Sequence, residues 1–215
     1  MQSANAEKDY GKAIDYLDGV DGDKADPEER PASRLGRARA VRSMGSSATQ
    51  SLALQASKDY EIYFSYVSRL DSDDESKKDE ISNVIIDGIQ RNPYAAWEWG
   101  MINRVAGQYA KAAEIHQLAA TAFEEIGDKP RATICRLDEG IDLASGEDDK
   151  AQLTKVKRIL VEAIDSTPGV DGRDVQLLQR VVAKEGEARI ALSGLLWGGK
   201  EKGAAESQLG TACGT

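Results

Sequence analysis

The chain has 215 residues, of which 40% are hydrophobic and 30% charged, and a formal net charge of −9. That length can build one domain or one continuous solenoid with a sizeable core, and no stretch approaches the roughly 20 apolar residues that a membrane-crossing helix needs. The acidic balance argues against a nucleic-acid ligand, which requires a basic surface, and suits a solvated face or a basic protein partner.

The opening decapeptide MQSANAEKDY has neither an apolar run nor an Arg-rich amphipathic pattern, so no targeting segment is expected in it. The chain then either works where it is made or is a processed product. Residues 6–20 are predicted to be helical, with Tyr10, Ala13, Leu17 and Val20 at helical spacing. DGVDGDKADPEER follows as an acidic loop marked by its Asp-Gly pairs and Pro27. A helix from about Pro31 to Met44 carries Arg34, Arg37, Arg39 and Arg42. Three of these arginines (34, 37 and 42) share one broad arc. They are expected to meet Asp21, Asp23, Asp26, Glu28 and Glu29 in an internal charge network, with an external acidic partner as the other option.

The next helix, about Thr49–Leu70, places Ala56, Tyr60 and Tyr63 on one face, and its further apolar residues predict burial on more than one side. After the charged run DSDDESKKDE, Ile81, Val84, Ile85 and Ile89 lead to Asn92-Pro93. Asn92 can cap a helix and Pro93 fits its first position. Gly100 in mid-helix predicts close helix–helix approach, and Gly107 predicts a break. Ala112, His116 and Ala119 then share a face of the following helix. Gly127 closes that helix and Asp128 caps the next, which runs to Ser145-Gly146. A helix over 149–165 buries Leu153, Val156, Ile159, Leu160 and Ile164. Pro168-Gly169 and Gly172 mark a break. Three short helices are predicted beyond it, 173–184, 187–197 and 201–212, separated by Gly186 and by Gly198-Gly199.

Constellations that would carry chemistry are weak. His116 is the sole histidine, which removes His-pair metal sites and most His-based nucleophilic catalysis; a packed helix-interface histidine is expected. Gly194–Lys200, GLLWGGK, has the spacing of a phosphate loop up to its lysine, but Glu201 stands where Ser or Thr must ligate magnesium. That stretch reads as a helix end. The acidic clusters at 21–29 and 71–75 lack the glycine and closing glutamate of a calcium loop and read as solvated. Cys135 and Cys213 form no CxxC pair, so two free thiols are expected, with Cys135 packed as a small hydrophobe. No metal or other cofactor is implied and no enzyme chemistry is expected.

The spacing of Gly100, Gly107, Tyr109, Ala112 and Ala119 within Asn92–Phe123 resembles a tetratricopeptide-repeat (TPR) helical hairpin. DYGKAIDYL resembles the second helix of such a unit, and Leu35-Gly36 resembles the Leu-Gly step of a first helix. The likeness covers about two thirds of the chain and fades beyond Gly146. It implies an all-α, TPR-like right-handed solenoid of antiparallel helical hairpins with about eleven helices. That solenoid would span 1–215 as one domain: an N-terminal helix and loop over 1–30, repeats over 31–146 and degenerate repeats over 147–215. It also implies a protein-binding groove on each repeat's first helix, here Tyr94, Trp97, Met101, Arg104 and Val105. The Lys and Asn of the chaperone-tail carboxylate clamp are replaced by Trp97 and Met101. Trp97 and Trp99 must point to different sides of their helix, and Trp197 is a further candidate hot spot. RNPYAAWEWG, GQYAKAAEIHQLAA, AFEEIGDKPRA and DEGIDLA are similar to TPR-like proteins of the chloroplast thylakoid lumen in algae and plants. That likeness implies a non-catalytic peripheral subunit or assembly factor on a photosynthetic membrane complex; the alternative is a free, cytoplasmic adaptor for short peptides.

Overall fold

A computed structural model describes residues 30–69, 81–146, 150–167, 174–198 and 201–214. These form nine α-helices and one 3-10 turn, Gly45–Ser47, and no strand occurs among the described residues. The chain is all-α, as its 3.6-residue periodicity predicts. The helix expected over 6–20 and both acidic clusters lie outside the described residues. Packing divides at the Gln108–Tyr109 bond into two compact units.

The first unit holds α1 (Arg30–Ser43), α2 (Gln50–Arg69), α3 (Ile81–Arg91) and α4 (Pro93–Val105), with α2 touching all three others. Thr49 caps α2 by accepting the Leu52 N–H at 3.3 Å. Along α2, Ala53, Ala56, Tyr60 and Phe64 are wholly buried, a stripe at i, i+3, i+7 and i+11. The two alanines keep the neighbouring backbones close, and the two aromatics fill the wider end. Against them pack Ala38 and Val41 of α1, Ile89 of α3, and Ala95, Ala96, Trp99 and Ile102 of α4.

The ends of α4 follow the sequence closely. Asn92 Oδ1 accepts the Ala95 N–H at 3.1 Å and Pro93 takes the opening turn. The same amide donates from Nδ2 to Tyr63 Oη at 2.7 Å, tying the cap to α2. At the far end Gly107 has φ +74, Gly107 N–H bonds Arg104 O at 3.0 Å and Gln108 N–H bonds Asn103 O at 2.8 Å. This paired closure requires a left-handed residue, which glycine supplies without a Cβ penalty.

The second unit holds α5 (Tyr109–Glu125), α6 (Lys129–Gly146), α7 (Lys150–Ser166), α8 (Val175–Gly198) and α9 (Lys202–Gly214). Here α6 touches α5, α7 and α8, and α9 lies on α8. Gly127, at φ +77, closes α5 in the same way as Gly107 closes α4. Asp128 then starts α6, accepting the Arg131 N–H at 3.3 Å. Leu137, Val156, Leu160, Ala188, Leu192 and Ala205 lie in one core. A Cβ on Gly140 would come within 2.6 Å of Leu160 Cδ2, so this glycine sets how near α6 approaches α7.

One expectation is corrected. Residues 175–198 form one helix, so Gly186 does not separate two. Strong helix formers flank it, and ion pairs bracket it: Lys184–Glu187 at 2.6 Å and Glu185–Arg189 at 2.7 Å. The glycine sits where the end of α9 comes near, its Cβ position 4.0 Å from Ala212 O. The α1 arginines have partners on other helices: Arg34 and Arg37 bond Asp59 of α2, and Arg39 and Arg42 bond Glu98 of α4; the acids at 21–29 expected beside them lie outside the described residues.

Candidate functional site

The sequence-predicted surface on α4 forms as a continuous side of that helix. Tyr94 is 44% exposed and Val105 40%, and Trp97, Met101 and Arg104 between them are partly exposed. The other side is locked. Trp99 is 2% exposed and stacks on Phe64 with ring centroids 5.4 Å apart. Its Nε1 donates to Ser57 Oγ at 3.0 Å, Ser57 donates to Asn103 Oδ1 at 2.9 Å, and Asn103 Nδ2 returns to Trp99 O at 2.9 Å. This closed ring leaves no buried polar atom of the three without a partner, so it fixes the rotation of α4 on α2 at little desolvation cost.

Charge fixes α4 from the other flank. Glu98 accepts from Arg39 Nε at 2.7 Å and lies 3.3 Å from Arg42 Nη2. The Tyr60 hydroxyl donates to it at 3.4 Å. Burial, with the Glu98 charge beside it, pushes the Tyr60 phenol well above its ordinary value; it stays a donor throughout the working range.

Trp197, the other predicted hot spot, is 51% exposed, with Lys202 Nζ 5.4 Å from its ring centroid. It lies on α8 with Val175, Val182 and Ile190, which are also exposed. Part of this face opens into an apolar groove of about 620 Å³ beside Ala212. Gly194–Gly198 falls inside α8, so the phosphate-loop spacing there is a helix end.

The sequence singled out His116 as packing, and it is wholly buried with Nδ1 2.7 Å from Asp142 Oδ2. The other ring nitrogen, Nε2, has no hydrogen-bond partner among the described residues. The Nδ1–Asp142 bond ties α5 to α6. Cys135 is buried and Cys213 exposed. Desolvation, then the Asp138 charge, pushes the Cys135 thiol well above its ordinary value, which leaves it unreactive.

Sequence reasoning missed a polar groove of about 550 Å³ between α5, α6 and α7, because its walls come from separate helices. Glu139 lines it and is mostly buried. Desolvation raises its carboxyl above the ordinary 4.5, opposed by Arg136. A raised folded value means that the native state binds this proton more tightly than the unfolded chain. The Glu139 contribution therefore falls as pH climbs from about 4.5 through the raised value, and ionisation at pH 7 costs stability. Glu139→Gln is expected to melt at or above the wild-type temperature at pH 7 and to flatten the slope just above pH 4.5. A clear drop in melting temperature at pH 7 would contradict this.

No group of three or more metal-ligating side chains and no helix long and apolar enough to cross a membrane occurs among the described residues. Compared with protein families, curated proteins and solved structures, the chain matches none.

Proposed function

We propose that this chain is a non-catalytic helical-repeat scaffold that docks on a partner protein through α4. The observation that carries the reading is the asymmetry of that helix: Trp99 and Asn103 are locked in the core, whereas Tyr94, Trp97, Met101 and Val105 present partly exposed aromatic and apolar surface. Aromatic side chains on a rigid element bind with little loss of conformational freedom. Stacked hairpins of the TPR kind are supported within each unit by contacts between alternate helices, α2 with α4 and α6 with α8. A peripheral place on a photosynthetic membrane complex in the chloroplast lumen rests on the resemblance of the quoted segments; a free peptide adaptor uses the same α4 surface.

Material from the native source is expected to co-purify with a larger complex at low ionic strength. Trp97→Ala should weaken that association at least tenfold while leaving the helical circular dichroism unchanged, since the side chain is only half-buried. A chain recovered alone and monodisperse at every ionic strength would overturn the reading.

A further inference from the structure

We propose that the exposed side of α8 is a homodimer contact, on which the α8 of a second copy of this chain packs antiparallel about a two-fold axis. This goes beyond the α4 surface and does not depend on it.

The uncovered stretch comes from unequal helix lengths. α8 has 24 residues and α9 has 13. The shorter helix runs back over the C-terminal half of the longer one. Ser193 Oγ donates to Ala205 O at 3.0 Å, Arg189 Nη1 donates to Gln208 Oε1 at 2.8 Å, and Ala212 O stands 4.0 Å from the Cβ position of Gly186. Before Gly186, Leu177 and Val181 turn inward and are buried, whereas Val175 and Val182 on the opposite side stay exposed. With Ile190, also exposed, these two line the apolar groove of about 620 Å³ beside Ala212.

The symmetry of this face decides the occupant. The α8 residues that line the groove step by four, in one row from Val175 to Glu187 and in a second from Leu178 to Ile190. Rows of that step are the ridges that interlock in the commonest class of helix pair. The rows also read alike from either end about the Val182–Ala183 bond. An antiparallel copy centred there sets Val175 against Ile190, Gln179 against Gly186 and Val182 against Ala183. In the last two pairs a longer side chain meets a small one, so the ridges of each copy find grooves on the other. A two-fold dimer needs this kind of self-complementary patch.

Charge agrees with shape. Arg180 and Glu187 are both exposed, and their spacing of seven residues puts them on one flank of α8. Glu187 also holds Lys184 of its own helix at 2.6 Å, yet its side chain is still 54% exposed. The midpoint of Arg180 and Glu187 lies within about one residue, 1.5 Å, of the proposed axis. The two-fold therefore carries Arg180 of each copy towards Glu187 of the other, making two pairs of opposite sign at the rim of the apolar contact. Such rim charges fix register and choice of partner. An unrelated partner helix gives no reason for the face to match itself in both shape and charge.

Sedimentation equilibrium of the whole chain is expected to show a monomer–dimer equilibrium at micromolar concentration. Val182→Glu and Ile190→Glu, both at exposed positions, should each raise the dimer dissociation constant by about tenfold or more with unchanged helical circular dichroism. Arg180→Glu should also weaken the dimer, and adding Glu187→Arg should restore it, a rescue that a general loss of structure would not permit. A monomer at every concentration, including one whose α8 face takes up a different protein, would overturn the proposal. So would a dimer indifferent to Val182→Glu and Ile190→Glu, or a double charge reversal no tighter than Arg180→Glu alone. Trp97→Ala should leave the dimer intact, so this contact and the α4 surface stand or fall separately.

Discussion

Asp59→Ala is expected to lower the stability of the first unit by about 3–5 kcal/mol, the usual cost of stripping one partner from a buried ion pair. Asp59 is wholly buried on α2. Arg37 grips it with both forks, Nε to Oδ2 at 2.6 Å and Nη2 to Oδ1, and Arg34 Nη1 adds a third bond at 3.2 Å. Removing the carboxylate takes from Arg37, with a side chain 9% exposed, the anion that both its forks hold. Arg34 is more exposed and can turn to water. With a urea dependence of about 1–3 kcal/mol per molar for a small domain, the midpoint should fall by roughly 2 M. Tryptophan fluorescence reports it. Replacing Asp59 by Leu together with Arg37 by Met should recover most of the loss, because both ends of the pair then become apolar. A drop under about 1 kcal/mol for Asp59→Ala would show that the Asp59 pairs add little to the hold on α1.

What the sequence made legible follows from what a residue decides locally. Asn92, Gly107, Gly127 and Asp128 were readable because capping and left-handed closure involve only a few neighbouring residues. Gly186 was misread for the converse reason: a glycine's cost of about 1 kcal/mol in a helix is smaller than the sum of good helix formers and two bracketing ion pairs. The charge network shows a third case. An arginine row on α1 announces that acids must be near, yet which acids depends on how α1 crosses α2 and α4. Asp59 lies in the sequence among Ser57, Lys58 and Tyr60, and nothing local marks it as the one that is buried.

The candidate surfaces divide along the same line. The α4 stripe is a single-helix property, and the 3.6-residue period placed Tyr94, Trp97, Met101, Arg104 and Val105 on one side in advance. The α5–α6–α7 groove belongs to no single helix: Gln117, Arg136 and Ile159 in its lining come from three of them.

The two tryptophans of α4 turn this distinction into the second large effect. Trp99→Ala should cost about 3–5 kcal/mol, the range for truncating a large buried aromatic. It deletes the stack on Phe64 and opens a cavity between α2 and α4, and it removes the donor to Ser57 Oγ. Ser57 and Asn103 keep their own bond, so the polar ring is cut but not emptied. Trp99→Phe keeps most of the contact area and should lose only about 1–2 kcal/mol, chiefly the hydrogen bond and part of the volume. Trp97→Ala, two residues away on the half-exposed side, should change the urea midpoint by less than about 1 kcal/mol equivalent. Equilibrium urea unfolding of the three variants gives the order. Should Trp97→Ala prove as damaging as Trp99→Ala, the outer side of α4 is packing surface rather than docking surface, and the proposed interface on that helix falls with it.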